Sequence, residues 1–177
     1  MGNIRFVSAT LNLYYEEIFD SNKKMFQDEH NRLSEYANSD IEDWLKKAQV
    51  KGLTEDSDKV LITLLVELHK KVDRLESILK NDEDKNIPLQ HSSKIVGINF
   101  DYIKTDDLNF LEDKRYYARI EMPTFPKREI PLFLTGVSAN IAKIILIGQK
   151  NLEDWNSFIM AKERENIREL KRSKYDS

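Results

Sequence analysis

The stretch from Leu61 to Leu79 constrains the fold most, because its apolar residues recur at alternating spacings of four and three. These residues are Leu61, Leu65, Leu68, Val72, Leu75 and Leu79. A repeat that averages about 3.5 residues aligns its side chains in one stripe along a helix, and such a stripe packs against another helix. We therefore predict a heptad helix whose stripe carries oligomerisation.

Further apolar residues flank this stripe and widen it. They are Ile62, Leu64, Val66 and Ile78. A two-stranded coil of this length is marginal by itself, whereas a wide apolar face suits a bundle of three or four helices. We predict a homo-oligomer of three or four chains. The alternative is an amphipathic helix that lies against the rest of its own chain.

The composition is that of a globular protein with a core, since 40% of the 177 residues are hydrophobic and 33% are charged. The absence of cysteine excludes disulfides, thiolate catalysis and cysteine-bound metals. The net charge of -3 gives no strong field toward nucleic acid or an anionic membrane. No apolar run approaches the ~18 residues of a membrane span. We expect a cytoplasmic protein without a nucleic-acid partner and without membrane insertion.

The first half of the chain reads as helical. Apolar residues recur every three or four positions over residues 4–37, and a capping box precedes a second, shorter helix at 41–48. We assign residues 1–52 to an N-terminal helical region and residues 53–85 to the heptad helix with its polar linker.

Beyond Pro88 the apolar period changes from helical to alternating. Four strands are predicted, over 95–100, 116–122, 130–137 and 141–147. The last of these is almost continuously apolar, so we expect it to be buried on both faces. Residues 152–173 return to helix. The predicted fold class is α+β, with N-terminal helices, an antiparallel β-domain over 86–150 and a C-terminal helical segment over 151–177.

Five segments follow one another in the order of elements of a known family. They are 67–75, 91–100, 118–123, 130–136 and 163–169. In this order they resemble the leucine-rich helix, the Ser-x-x-Gly turn with its strand, two barrel strands and the final helix of a PilZ domain. The resemblance implies a small β-barrel of the type best known for receiving cyclic di-GMP, in a subgroup with a heptad helix.

The resemblance does not extend to the ligand-binding motifs of that family. PilZ domains grip the dinucleotide with an Arg-x-x-x-Arg pair ahead of the barrel, and residues 80–90 contain no arginine. Aligning the second motif on Gly97 puts Ser92 and Lys94 where an acid and a serine belong. The resemblance thus implies a degenerate, non-enzymatic PilZ-like regulatory or scaffolding protein that needs no cofactor and offers its barrel to a protein partner.

The alternative is a cyclic di-GMP receptor with a rewired site, which controls motility or surface behaviour. Its candidate ligand-binding residues are Lys85, His91, Lys94, Gly97, Arg115 and Arg119.

Motifs for catalysis or metal binding are missing from the sequence. His30, His69 and His91 lie far apart and lack metal-ligand spacing. No phosphate-binding glycine loop and no Gly-x-Ser-x-Gly elbow occurs. Residues 114–117 mix cations with tyrosines, which could stack on bases, but the edge of a strand explains them better. We therefore predict neither an enzyme nor a metal site.

Overall fold

The computed structural model describes residues 4–36, 59–80, 86–123 and 128–175. Their elements are β1 Val7–Glu17, α1 Lys23–Tyr36, α2 Lys59–Lys80, β2 His91–Ile98, β3 Tyr102–Thr105, β4 Arg115–Met122, β5 Arg128–Ser138, β6 Ile141–Ile147 and α3 Gln149–Tyr175. The chain divides into two compact units. One comprises Met1–Ser34 with Pro88–Ser177, and the other comprises Glu35–Ile87.

The six strands form a closed antiparallel barrel in the order β1-β2-β3-β6-β5-β4. Strand β1 pairs with both β2 and β4, and this double pairing closes the barrel. Alternate residues of the strands point inward and form one apolar core, among them Leu13, Ile95, Ile120 and Leu132. The predicted α+β class with a β-barrel is therefore confirmed.

The predicted helix over residues 4–37 is wrong in its first part, because residues 7–17 form β1. The same stretch carries two periodicities. Its three–four spacing fits a helix, but Leu11, Leu13 and Tyr15 alternate as the inward side of a strand. Pairing with two neighbouring strands satisfies the backbone of β1 on both edges, and this long-range pairing decides between the two patterns. The second part of the predicted helix is α1.

The remaining strand predictions differ from the structure in two places. Strand β3 was not predicted, because four residues carry too little alternation to be recognised. Strand β6 is not buried on both faces, since Ala142 is buried whereas Lys143 and Ile145 are exposed. The other predicted strands correspond to β2, β4 and β5, and the predicted C-terminal helix corresponds to α3.

Both ends of the barrel core are filled by aromatic side chains. From α3, Trp155 enters the core together with Ile159. From the loop between β3 and β4, Phe110 packs edge-on against Tyr116, with ring centroids 5.3 Å apart, and also contacts Tyr15. The barrel interior is therefore a packed core of side chains.

Some predicted features lie outside the described residues. These are the helix at 41–48, residues 81–85 of the linker, and Lys85 among the candidate ligand-binding residues.

Candidate functional site

The heptad residues of α2 form an open apolar stripe. All six positions fall inside this helix. The five whose side chains are described, namely Leu61, Leu65, Leu68, Val72 and Leu75, are between 52% and 60% exposed. A leucine on a covered helix face would be nearly inaccessible. The α2 stripe, defined as these five residues, is therefore exposed within the part of the chain that the structure describes.

The residues that flank the α2 stripe behave differently from one another. Leu64 is 62% exposed and extends the stripe on one side. Val66 is buried and Ile62 is half-buried, so both already have neighbours within the chain. The exposed apolar surface of α2 is therefore narrower than the sequence indicates. Of these three flanking residues, only Leu64 adds to the exposed stripe.

Arg119 is committed to a buried ion pair and does not face solvent. Its Nη1 donates to Oε2 of Glu29 on α1 at 2.8 Å, and its Nε donates to Oε2 of Glu129 on β5 at 2.8 Å. Burial by itself would lower the pKa of Arg119, but the carboxylates of Glu29 and Glu129 outweigh burial and raise it. A guanidinium held in this way joins α1 to the barrel.

Two aromatic contacts accompany this ion pair. Phe26 of α1 stacks on Tyr117 with ring centroids 4.8 Å apart, and His30 lies against Phe133 at 5.1 Å. Burial, followed by the nearby Glu29 carboxylate, raises the pKa of Tyr117, so this phenol stays protonated. We call these four residues, together with Glu29 and Arg119, the α1 interface. The spacing of Phe26, Glu29 and His30 on one helix face is the signal that sequence reasoning missed.

The other predicted ligand-binding residues lie at separate places on the barrel. His91 begins β2 and stacks on Tyr15 with centroids 5.3 Å apart. Gly97 is buried, and a Cβ at its position would lie 3.0 Å from Cβ of Phe6. This glycine is therefore explained by the close approach of Phe6 rather than by a ligand.

Lys94 and Arg115 are both exposed, but they are far apart. Lys94 pairs with Asn12 of β1, whereas the carbonyl of Arg115 accepts from the amide of Ile18. These two points are separated by about 20 Å along an extended strand. The structure therefore does not bring the described candidate residues together into one anion-binding site.

Two further findings concern only the residues that the structure describes. No group of three or more histidine or acidic residues is placed to hold a metal ion. No described helix is both long enough and apolar enough to cross a membrane.

Comparisons with protein-family models, curated proteins and solved structures found no match to this chain. The resemblance to PilZ domains stays a prediction.

Proposed function

We propose that this chain is a non-catalytic, PilZ-like assembly module that self-associates through α2 and carries its barrel as the regulatory or scaffolding part. The observation that carries this proposal is the exposure of the α2 stripe, whose side chains remain between 52% and 60% accessible. The occupant is a second copy of the chain, because a heptad stripe is complementary to another heptad stripe.

The energy available from this stripe is of the order that association requires. Burying a large aliphatic side chain contributes about 1.5–3 kcal/mol, so five half-exposed ones contribute roughly 4–8 kcal/mol per chain. Association costs about 4–15 kcal/mol in lost translational and rotational freedom. The gain of two chains is therefore comparable to that cost. Leu64 adds further apolar area beside the stripe, which favours three or four chains over two.

The barrel supports the PilZ-like part of the proposal to a smaller extent. A closed six-stranded antiparallel barrel is compatible with the resemblance. The fold by itself does not define what the barrel binds, because one fold hosts many functions. Binding of a protein partner and a regulatory role are part of this proposal.

Size-exclusion chromatography with light scattering tests self-association on the full chain. We expect an oligomer for the wild type and a monomer for Leu68→Asp, because a carboxylate in the middle of the stripe cannot be buried without a partner. The matched control is Leu170→Asp on α3, where the native leucine is 64% exposed and lies outside the stripe. Circular dichroism verifies that each variant keeps its helices.

Two results would overturn the proposal. One is a wild-type chain that is monomeric at every concentration tested. The other is an oligomer that survives Leu68→Asp unchanged. If Leu170→Asp alone dissociates the oligomer, α3 rather than α2 holds the chains together.

Among the residues that the structure describes, no geometric observation favours the alternative of a cyclic di-GMP receptor, because Arg119 is buried in an ion pair and Lys94 lies far from Arg115. Isothermal titration calorimetry with cyclic di-GMP discriminates between the two functions. Micromolar binding that is lost in Lys94→Gln or Arg115→Gln would favour the receptor.

A further inference from the structure

Several buried polar atoms have no hydrogen-bond partner among the described residues, and three of them lie where α1 approaches the start of α3. They are Nδ2 of Asn151, Oγ of Ser34 and Nε2 of His30. Asn151 is 1% exposed and His30 is 4% exposed, so bulk solvent does not reach either side chain. Buried polar groups in proteins are nearly always bonded. Three unpaired ones at one junction therefore indicate a place where a water or an ion binds.

Gly148, directly before α3, brings two of these atoms to one point. A Cβ at its position would lie 2.8 Å from Oγ of Ser34 and 3.6 Å from Nδ2 of Asn151. The two atoms therefore border the same side of this glycine. His30 lies one helical turn before Ser34 on the same face of α1. The unpaired atoms thus form one cluster between the two helices.

Arg128 at the start of β5 fixes which end of the Asn151 amide faces this cluster. Its Nη2 donates to Oδ1 of Asn151 and lies 2.8 Å from Oδ2 of Asp154. A guanidinium can only donate, so the bonded atom of the amide is its oxygen and the unpaired atom is a donor. Asn151 therefore presents an N–H group on the side of Gly148 and Ser34.

The first turn of α3 adds backbone donors. The first bond within this helix runs from the amide of Leu152 to the carbonyl of Gly148 at 2.8 Å, so the amides before Leu152 have no acceptor within the helix. Gly148 occupies the cap position and has no side chain that could accept from them. The start of a helix also carries partial positive charge. We call Ser34, Arg128, Gly148 and Asn151 the α3 cap site.

We propose that the α3 cap site binds a phosphate, either as the free ion or as the phosphoryl group of a small phosphomonoester. The guanidinium of Arg128, the Asn151 amide, the Ser34 hydroxyl and the first-turn amides supply donors from two helices and a strand. A tetrahedral phosphoryl group offers at least three acceptor oxygens to such a set, whereas a carboxylate offers two. A metal cation does not suit the site, because N–H groups repel it.

Burial limits the size of the ligand. Asn151 is almost inaccessible, whereas the side chain of Arg128 is 35% exposed and leads from the surface toward Asn151. A small anion can be held by both residues at once. A bulky ligand would contact Arg128 only.

Asp154 competes with an anion for Arg128. Its carboxylate is 36% exposed, and it both occupies the guanidinium and repels a second negative charge. Anion binding therefore requires Arg128 to turn from Asp154 toward the anion, and the partial exposure of both side chains permits this movement. Removing the charge of Asp154 must then strengthen binding, which is an effect that a merely structural ion pair does not produce.

The α3 cap site lies wholly in the unit formed by Met1–Ser34 and Pro88–Ser177. The proposal goes beyond self-association through α2 and does not depend on it. A phosphate bonded to Ser34 and Asn151 would join α1 to α3, so its binding should stabilise this unit.

Isothermal titration calorimetry of the full chain with sodium phosphate tests the site, in a buffer without phosphate or sulfate and against sodium chloride of equal ionic strength. We expect saturable binding of phosphate together with slower amide exchange at residues 149–151. Arg128→Gln should weaken binding about 10- to 100-fold, because it removes a charge-assisted hydrogen bond. Asp154→Asn should strengthen binding at least about fivefold, because it removes a like charge beside the anion.

The matched control is Arg164→Gln, which removes the same charge from an exposed position on α3 and should leave phosphate binding unchanged. Leu68→Asp should bind phosphate like the wild type, so a failure of this site and a failure of self-association are distinguishable. Glycerol 3-phosphate separates the two sources: binding as tight as that of phosphate assigns a phosphomonoester, and its rejection assigns the free ion.

Two results would overturn the proposal. One is a wild-type chain without saturable phosphate binding, which would assign the unpaired atoms to an ordered water only. The other is an Asp154→Asn variant that binds phosphate no more tightly than the wild type. This second comparison keeps the test decisive even where Arg128→Gln impairs folding.

Discussion

Replacing Arg119 by methionine should destabilise the barrel unit more than any change at its surface. Arg119 is 6% exposed and Glu29 is 3% exposed, so both charges of this ion pair are removed from water. Methionine fills much of the volume of the arginine stem but leaves the Glu29 carboxylate buried without its 2.8 Å partner. Arg32, at 3.7 Å from the other carboxylate oxygen, compensates only in part.

The magnitude follows from the burial of the two partners. Removing one member of a buried ion pair costs about 3–5 kcal/mol. The contact with Glu129 adds little, because that carboxylate is partly exposed and exposed pairs contribute at most about 1 kcal/mol. For a chain of this size each kcal/mol lowers the Tm by about 2–4 °C. We therefore expect Arg119→Met to lower the Tm by roughly 6–20 °C.

Urea unfolding followed by tryptophan fluorescence measures this loss in the barrel unit. Trp155 is fully buried in the barrel core and reports on its unfolding. Trp44 is the other tryptophan of the chain. Placing Arg119→Met in a Trp44→Phe background makes Trp155 the only reporter.

A second substitution tests the reason for the loss. Adding Glu29→Gln to Arg119→Met removes the unpaired buried charge, so the double variant should be more stable than Arg119→Met by about 1–3 kcal/mol. A loss below about 1 kcal/mol for Arg119→Met, or a double variant less stable than both single variants, would refute the reasoning.

Two further predictions concern the α1 interface. Phe26→Ala should cost about 3–5 kcal/mol and abolish amide-exchange protection of α1, because the ring stacked on Tyr117 is fully buried; Met25→Ala, at an exposed position, should change stability by less than about 0.5 kcal/mol. Burial lowers the pKa of His30, so the folded chain binds this proton less readily than the unfolded chain, and stability should fall as the pH decreases below about 6.5. His30→Phe should remove this part of the pH dependence in urea unfolding, whereas His91→Gln, at an exposed position, should retain it; an unchanged pH dependence in His30→Phe would contradict this explanation.

Sequence reasoning predicted the elements of the fold in which a single apolar periodicity dominates. The alternation in β4 is a strong local signal, and this strand is present. A helix also spans the apolar repeat of α2, whereas its role as a heptad helix stays a prediction. The reasoning was wrong for β1, where residues 7–17 fit two periods at once. A local pattern cannot decide such a case, because the choice depends on partners about 80 and 100 residues away along the chain.

The candidate site residues also divide into those whose placement follows from a local pattern and those whose placement depends on distant segments. The spacing of the α2 stripe residues places them on one helix face whatever surrounds that helix, and their role in oligomerisation stays a prediction. The interpretation of Arg119 as a possible ligand contact could not be tested from the sequence. Its burial depends on α1, which contributes Glu29 from a position 90 residues earlier.

The sequence by itself determined an apolar stripe on a helix, a β-rich second half and a net charge that favours no anionic partner. The tertiary structure decided which face of each element is covered. It buried Arg119 beneath α1, and the described side chains of the α2 stripe are exposed. It also placed Ser34 of α1 beside Gly148 and Asn151 at the start of α3, from which the sequence separates it widely. The physical reason is that helix faces follow from spacing within a segment, whereas burial and strand register follow from contacts between distant segments.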